Sequence, residues 1–63
     1  MDMLSHKQIS GFEVSFRARS VLACRAMSGG TQVILTNGTE FKLGTDYPTF
    51  MRELKRKLYG DKQ

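Results

Sequence analysis

The sequence predicts a small α+β fold: an antiparallel β-meander of about four strands followed by one C-terminal amphipathic helix. Apolar and polar residues alternate over 12–17, an Asn-Gly pair separates two apolar runs at 37–38, and apolar residues recur at helical spacing over 47–58. The 63 residues leave room for one domain. We expect it at 11–60, between a flexible N-terminal arm at 1–10 and a tail at 61–63.

Two strands are predicted before residue 30. Phe12, Val14 and Phe16 alternate with polar residues, as in a half-buried strand, and these phenylalanines are expected in the core. The run 21–27 is compatible with a strand or with a short helix. A strand is favoured, because the glycine pair at 29–30 stops the run and another apolar run follows at once.

The Asn37-Gly38 pair predicts a two-residue type I′ turn, since both residue types tolerate positive φ. In that register Ile34 faces Phe41, so Val33 and Leu35 lie on the opposite face of the sheet. One helix covers only one face. Val33 and Leu35 are therefore predicted to form a self-association face, and a homo-oligomer also suits a chain that buries little surface.

A helix is predicted from the segment that follows Gly44. Asp46 suits the N-cap, Pro48 suits the first turn, and Gly60 suits the stop. The stripe expected to face the core consists of Tyr47, Phe50, Met51, Leu54 and Leu58.

Few residues in this chain offer catalytic or metal chemistry. A single cysteine, Cys24, excludes an internal disulfide, and with one histidine, His6, it falls short of the usual zinc ligand set. We expect His6 to be solvated and Cys24 to be a buried structural thiol. Without a convergent nucleophile and base, the sequence favours a non-enzymatic binding protein with no catalytic residue, metal or cofactor.

The chain shows no targeting or membrane pattern. Residues 1–11 lack the apolar run of a signal peptide, and no segment approaches the length needed to cross a bilayer. Together with the lone cysteine, this favours a cytoplasmic location.

The net charge is +4 and the isoelectric point about 9.7. Basic residues cluster around the first turns and on one side of the helix, where they can form a surface for an acidic partner or for phosphates. The candidate residues are Arg17, Arg19, Arg25, Arg52, Lys55 and Arg56. The alternative is a solvated helix face with a Glu53–Lys57 pair, and both interpretations stay open.

The strand at 12–16, the hairpin at 31–43 and the helix resemble the FlbD-type small flagellar and swarming-motility proteins. The resemblance covers about residues 9–58, and its distinctive piece is the segment VILTNG at 33–38. LytTR-type DNA-binding domains share this hairpin pattern. The resemblance implies a bacterial or phage regulatory protein that acts through protein contacts.

The expected function is therefore modulation of a larger protein partner, as a motility accessory protein or as a phage-encoded inhibitor of a host system. The alternative is a nucleic-acid-binding or nucleotide-binding module that uses the basic helix and the arginines.

Overall fold

The computed structural model describes residues 2–60, which form five antiparallel strands and one helix. The elements are β1 (Met3–Lys7), β2 (Glu13–Arg17), a 3-10 turn (Ala18–Ser20), β3 (Val21–Met27), β4 (Gly30–Leu35), β5 (Glu40–Leu43) and α1 (Tyr47–Tyr59). β1 and β2 form a two-stranded sheet, and β3, β4 and β5 form a three-stranded sheet in that order. The predicted α+β class is confirmed, with one strand more than expected.

The additional strand is β1, which lies in the segment predicted to be a flexible arm. β1 pairs with β2 from Met3↔Arg17 to Lys7↔Glu13, and Leu4 is only 1% exposed. The arm prediction was therefore wrong. The side-chain pattern of β1 is too polar to be recognised as a strand in the sequence, because Leu4 is the only buried side chain in β1. The predicted tail at 61–63 lies outside the described residues.

Backbone hydrogen bonds also join β1 to the second sheet. The Gly44 N–H donates to the Lys7 carbonyl at 2.9 Å, and the Ile9 N–H donates to the Lys42 carbonyl at 2.7 Å. At the opposite end, the Ala18 N–H donates to the Asp2 carbonyl at 2.6 Å. β1 is thus fixed at both ends.

The hairpin of β4 and β5 is present, but its predicted turn and register were wrong. The loop has three residues: the Leu35 N–H donates to the Thr39 carbonyl, and only Gly38 of the loop has positive φ, at 93°. Val33 therefore pairs with Phe41, one position away from the predicted register. A shift of one residue exchanges the two faces of a strand.

The self-association face predicted from Val33 and Leu35 is consequently absent. Val33 is 0% and Leu35 8% exposed, because the corrected register turns both towards the core. The homo-oligomer stays an untested prediction, but these two residues no longer support it.

The core lies between the three-stranded sheet, the β1–β2 hairpin and α1. Its buried apolar residues are Leu4, Phe16, Ala18, Val33, Leu35, Leu43, Phe50 and Leu54. Phe16 stacks on Phe41 with ring centroids 5.6 Å apart. Phe12 was predicted to be in this core, but it is 74% exposed. It precedes Glu13, the first residue of β2, and lies next to the hairpin loop.

The helix boundaries follow the prediction. The Asp46 carboxylate accepts from the Thr49 N–H and hydroxyl, Pro48 lies in the first turn, and Gly60 forms the C-cap. Phe50 and Leu54 are its buried residues, whereas Leu58 is 41% exposed. Within 2–60 no helix has both the length and the apolar character required to cross a bilayer.

Candidate functional site

The six basic residues proposed as a single surface are distributed over different parts of the molecule. Arg25 lies on β3, where its Nε donates to the Gln32 side-chain oxygen at 2.8 Å. The Gln32 amide in turn donates to Glu40 at 2.9 Å. These three side chains lie on the outer face of the three-stranded sheet, since Gln32 alternates with the buried Thr31 and Val33. Arg25 is therefore on a different surface from the helix.

Arg19 follows β2, in the 3-10 turn, and already has an acidic partner. Its Nε lies 2.9 Å from Asp2 Oδ2, although most of the Arg19 side chain is exposed. Partial burial opposes ionisation of Asp2, but the Arg19 hydrogen bond and the charges of Arg19 and Arg17 together lower its pKa below 3.8. This pair fastens the start of β1 to the turn after β2.

Arg17 is the last residue of β2 and is exposed, and the other three basic residues lie on the exposed side of α1. We name Arg52, Lys55 and Arg56 the basic helix face; all three are exposed. Arg52 and Arg56 are one helical turn apart and line an open groove along the helix with Thr49, Glu53 and Lys57. Tyr59, 76% exposed, lies one turn beyond Lys55.

The one carboxylate within α1, Glu53, also lines this groove, and its Oε1 is directed towards β1. Glu53 Oε1 lies 2.8 Å from His6 Nε2. The alternative interpretation paired Glu53 with Lys57, whereas its observed partner is His6.

His6 belongs to a polar cluster at the edge of the core, which we name the His6 cluster: His6, Thr45 and Glu53. The His6 side chain is 11% exposed, its Nδ1 lies 2.9 Å from the Thr45 hydroxyl, and its ring meets Phe50 edge-on at 5.4 Å. The contact of Nε2 with Glu53 is close but is not aligned as a regular hydrogen bond. The prediction of a solvated histidine was wrong.

The physical reason lies in the alternation of β1. Leu4 and His6 are two residues apart and point to the same side of the strand, towards Phe50 and the start of α1. No local sequence signal could reveal the partners, because Thr45 and Glu53 are 39 and 47 residues further along the chain.

A hydroxyl, an imidazole and a carboxylate occur in this order in nucleophilic triads. Here the imidazole is enclosed between β1 and α1, and only 11% of its side chain is open to solvent. The backbone at Thr45 is also fixed, since the Thr31 hydroxyl donates to its carbonyl at 2.8 Å. The arrangement can hold β1 against the helix, and it leaves little room for a substrate beside the imidazole.

Cys24 is half-buried beneath the helix. Its Sγ donates to Met51 Sδ at 3.2 Å, and burial raises the pKa of the thiol above 9.0. A raised pKa lowers the thiolate fraction and hence the reactivity. Among residues 2–60 no group of three or more His, Cys, Asp or Glu side chains is arranged to hold a metal ion.

Exposed apolar side chains mark a second surface, at the loop between β1 and β2. Ile9 is 50% and Phe12 74% exposed, and Ile9 lies beside Gly29 of the β3–β4 turn. The alternation used for strand prediction placed Phe12 inside, so this surface could not be predicted from the sequence.

No protein-family model, curated protein or solved structure shows significant similarity to the chain. The resemblance to the motility family accordingly stays a prediction.

Proposed function

We propose that the protein is a small, non-catalytic binding protein that regulates a larger acidic partner through the basic helix face. The observation that supports this most directly is the placement of charge on α1. Arg52, Lys55 and Arg56 are exposed, whereas Glu53 lies beside His6. The outward side of the helix therefore presents three exposed basic residues, and Glu53, the one carboxylate within Tyr47–Tyr59, borders them in the groove while its Oε1 lies beside His6.

The helix is also held rigidly enough to present these charges in a fixed arrangement. Asp46 caps its start, Phe50 and Leu54 are buried, and Glu53 contacts β1 through His6. Charged groups on a pre-organised element lose less conformational freedom on binding. A motility accessory protein and an inhibitor of a host system are two forms that this regulation can take, and both suit a cytoplasmic protein.

Two charge-reversed double variants test the proposal. Arg52→Glu/Lys55→Glu alters the basic helix face, and Lys7→Glu/Lys42→Glu makes the same change in net charge at exposed positions on β1 and β5. Binding of each variant to poly-L-glutamate and to duplex DNA is measured by fluorescence anisotropy at low salt.

The unaltered chain and Lys7→Glu/Lys42→Glu should bind at least one of these polyanions, and Arg52→Glu/Lys55→Glu should bind neither. If the unaltered chain binds neither, or if both variants lose binding equally, the proposal is wrong. Far-ultraviolet circular dichroism of each variant confirms that the fold is retained.

A further inference from the structure

We propose that the acidic partner is double-stranded DNA, contacted by the outer side of α1 through its phosphates. This inference rests on the proposed function and adds the chemical class of the partner. It follows from the side chains that accompany the charges, from the shape of the helix and from the scarcity of aromatic residues on its outer side.

The composition of the outer side suits phosphates better than a protein surface. Thr49, Arg52, Lys55, Arg56 and Tyr59 are exposed along it, while Phe50 and Leu54 are buried and Leu58 is 41% exposed. Protein interfaces depend on a desolvated apolar centre, which these side chains do not provide, although Arg and Tyr are enriched in such interfaces too. Phosphate oxygens, in contrast, are bound by Arg, Lys, Thr and Tyr side chains.

The shape of the element favours duplex DNA among nucleic acids. The B-DNA major groove, about 12 Å wide, admits an α-helix, whereas the A-form RNA major groove is too narrow for side chains to read. Single strands are bound mainly by stacking bases on aromatic side chains. Tyr59 is the only aromatic residue on this side of α1, since Phe50 is buried and Tyr47 is half-buried beside the β3–β4 turn.

The number of charges sets the expected salt dependence. If Arg52 and Lys55 each neutralise one phosphate, the slope of log affinity against log salt is about −1.8. Raising salt from about 50 to about 200 mM then weakens binding roughly 12-fold. Arg52→Gln removes one contact, so the same change in salt should weaken its binding only about 3.5-fold.

Fluorescence anisotropy with a labelled mixed-sequence duplex of about 20 base pairs tests this, with single-stranded RNA of the same length and poly-L-glutamate as parallel probes. Lys42→Gln is the matched control, because it removes one positive charge from the sheet face opposite the helix. Its salt slope should equal that of the unaltered chain.

The outcomes separate the two proposals. Binding to polyglutamate without binding to the duplex overturns the DNA inference and leaves the proposed function standing. Tighter binding to the single strand, or an equal loss of slope in Lys42→Gln, also overturns it. Binding to none of the three probes overturns both proposals.

Discussion

The β1–β2 and β4–β5 hairpins close with the same loop but are attached to the protein in different ways. Each loop has three residues and ends in a glycine with positive φ, 103° at Gly11 and 93° at Gly38. In each, the glycine N–H donates back to the last residue before the loop, Gln8 or Leu35. This is the usual combination of a tight turn with a left-handed third residue.

The inward sides of the two hairpins differ in chemistry. In β4, Thr31, Val33 and Leu35 are all buried. In β1, Leu4 is buried, but the next inward residue is His6, which contacts side chains of another element. The β4–β5 hairpin is thus stabilised mainly by non-directional apolar burial, with one buried hydrogen bond from the Thr31 hydroxyl to the Thr45 carbonyl, whereas the inward side of β1 has a single buried leucine beside the directional contacts of His6.

The largest expected effect comes from removing one buried leucine in each hairpin. Leu43→Ala and Leu4→Ala should each lower the free energy of unfolding by about 2–5 kcal/mol, from lost burial and the cavity left behind. The two losses should be similar, since Leu43 is 0% and Leu4 1% exposed in the same core cluster. Urea unfolding measures both. A loss below about 1 kcal/mol for Leu4→Ala would mean that β1 behaves as the flexible arm first predicted.

The second test removes the directional contacts of the β1–β2 hairpin. His6→Ala leaves Thr45 and Glu53 without their partner and should cost about 1–3 kcal/mol. Amide hydrogen exchange should become faster in β1 while β4 keeps its protection, because the His6 cluster connects only β1 to the helix segment.

Thr45→Val and Glu53→Gln separate the two contacts of the imidazole. A double-mutant cycle of His6→Ala with each should give a non-zero coupling energy, since the pairs are in direct contact. Additive effects in both cycles, or equally accelerated exchange in β1 and β4, would contradict a specific role for the His6 cluster.

The third test asks whether the two loops are energetically equivalent. A Cβ on Gly11 or Gly38 meets no atom within 4 Å, so the cost of alanine comes from positive φ alone. Both substitutions should therefore destabilise by a similar amount, about 1–2 kcal/mol, in thermal or urea unfolding. A clear inequality would show that one loop relaxes to another conformation.

The same comparison explains how much of the fold the sequence could predict. The β4–β5 hairpin was found because its apolar run and its Asn-Gly pair are local signals, and α1 was found from its stripe, cap and stop. The length of the loop was not predicted correctly, because the Asn37-Gly38 pair fits both a two-residue and a three-residue turn. The difference of one residue in loop length shifts the strand register, and it moves Val33 and Leu35 from the predicted surface to the core.

The β1 strand and the His6 cluster could not be predicted for a different reason. The inward residues of β1 are one leucine and one histidine, which gives too little apolar periodicity to recognise. The partners of His6 are fixed by tertiary packing between distant segments. For the candidate site, the basic helix face followed from helical spacing, whereas the separate positions of Arg19 and Arg25 depended on strand register.

The smallest expected effect concerns the Asp2–Arg19 pair, which is found only at the start of the β1–β2 hairpin. The folded chain lowers the pKa of Asp2 below 3.8, so its contribution to stability is present above that pH and is lost as the pH falls through the folded-state pKa. Asp2→Asn should therefore be slightly less stable than the unaltered chain at about pH 6, and the difference should be smaller near pH 2. Urea midpoints at the two pH values measure it, and Asp2→Ser at the same position tests whether any small polar residue suffices. Equal midpoints at about pH 6 would show that this exposed pair contributes nothing, leaving the backbone bond from Ala18 to Asp2 as the contact that holds the start of β1.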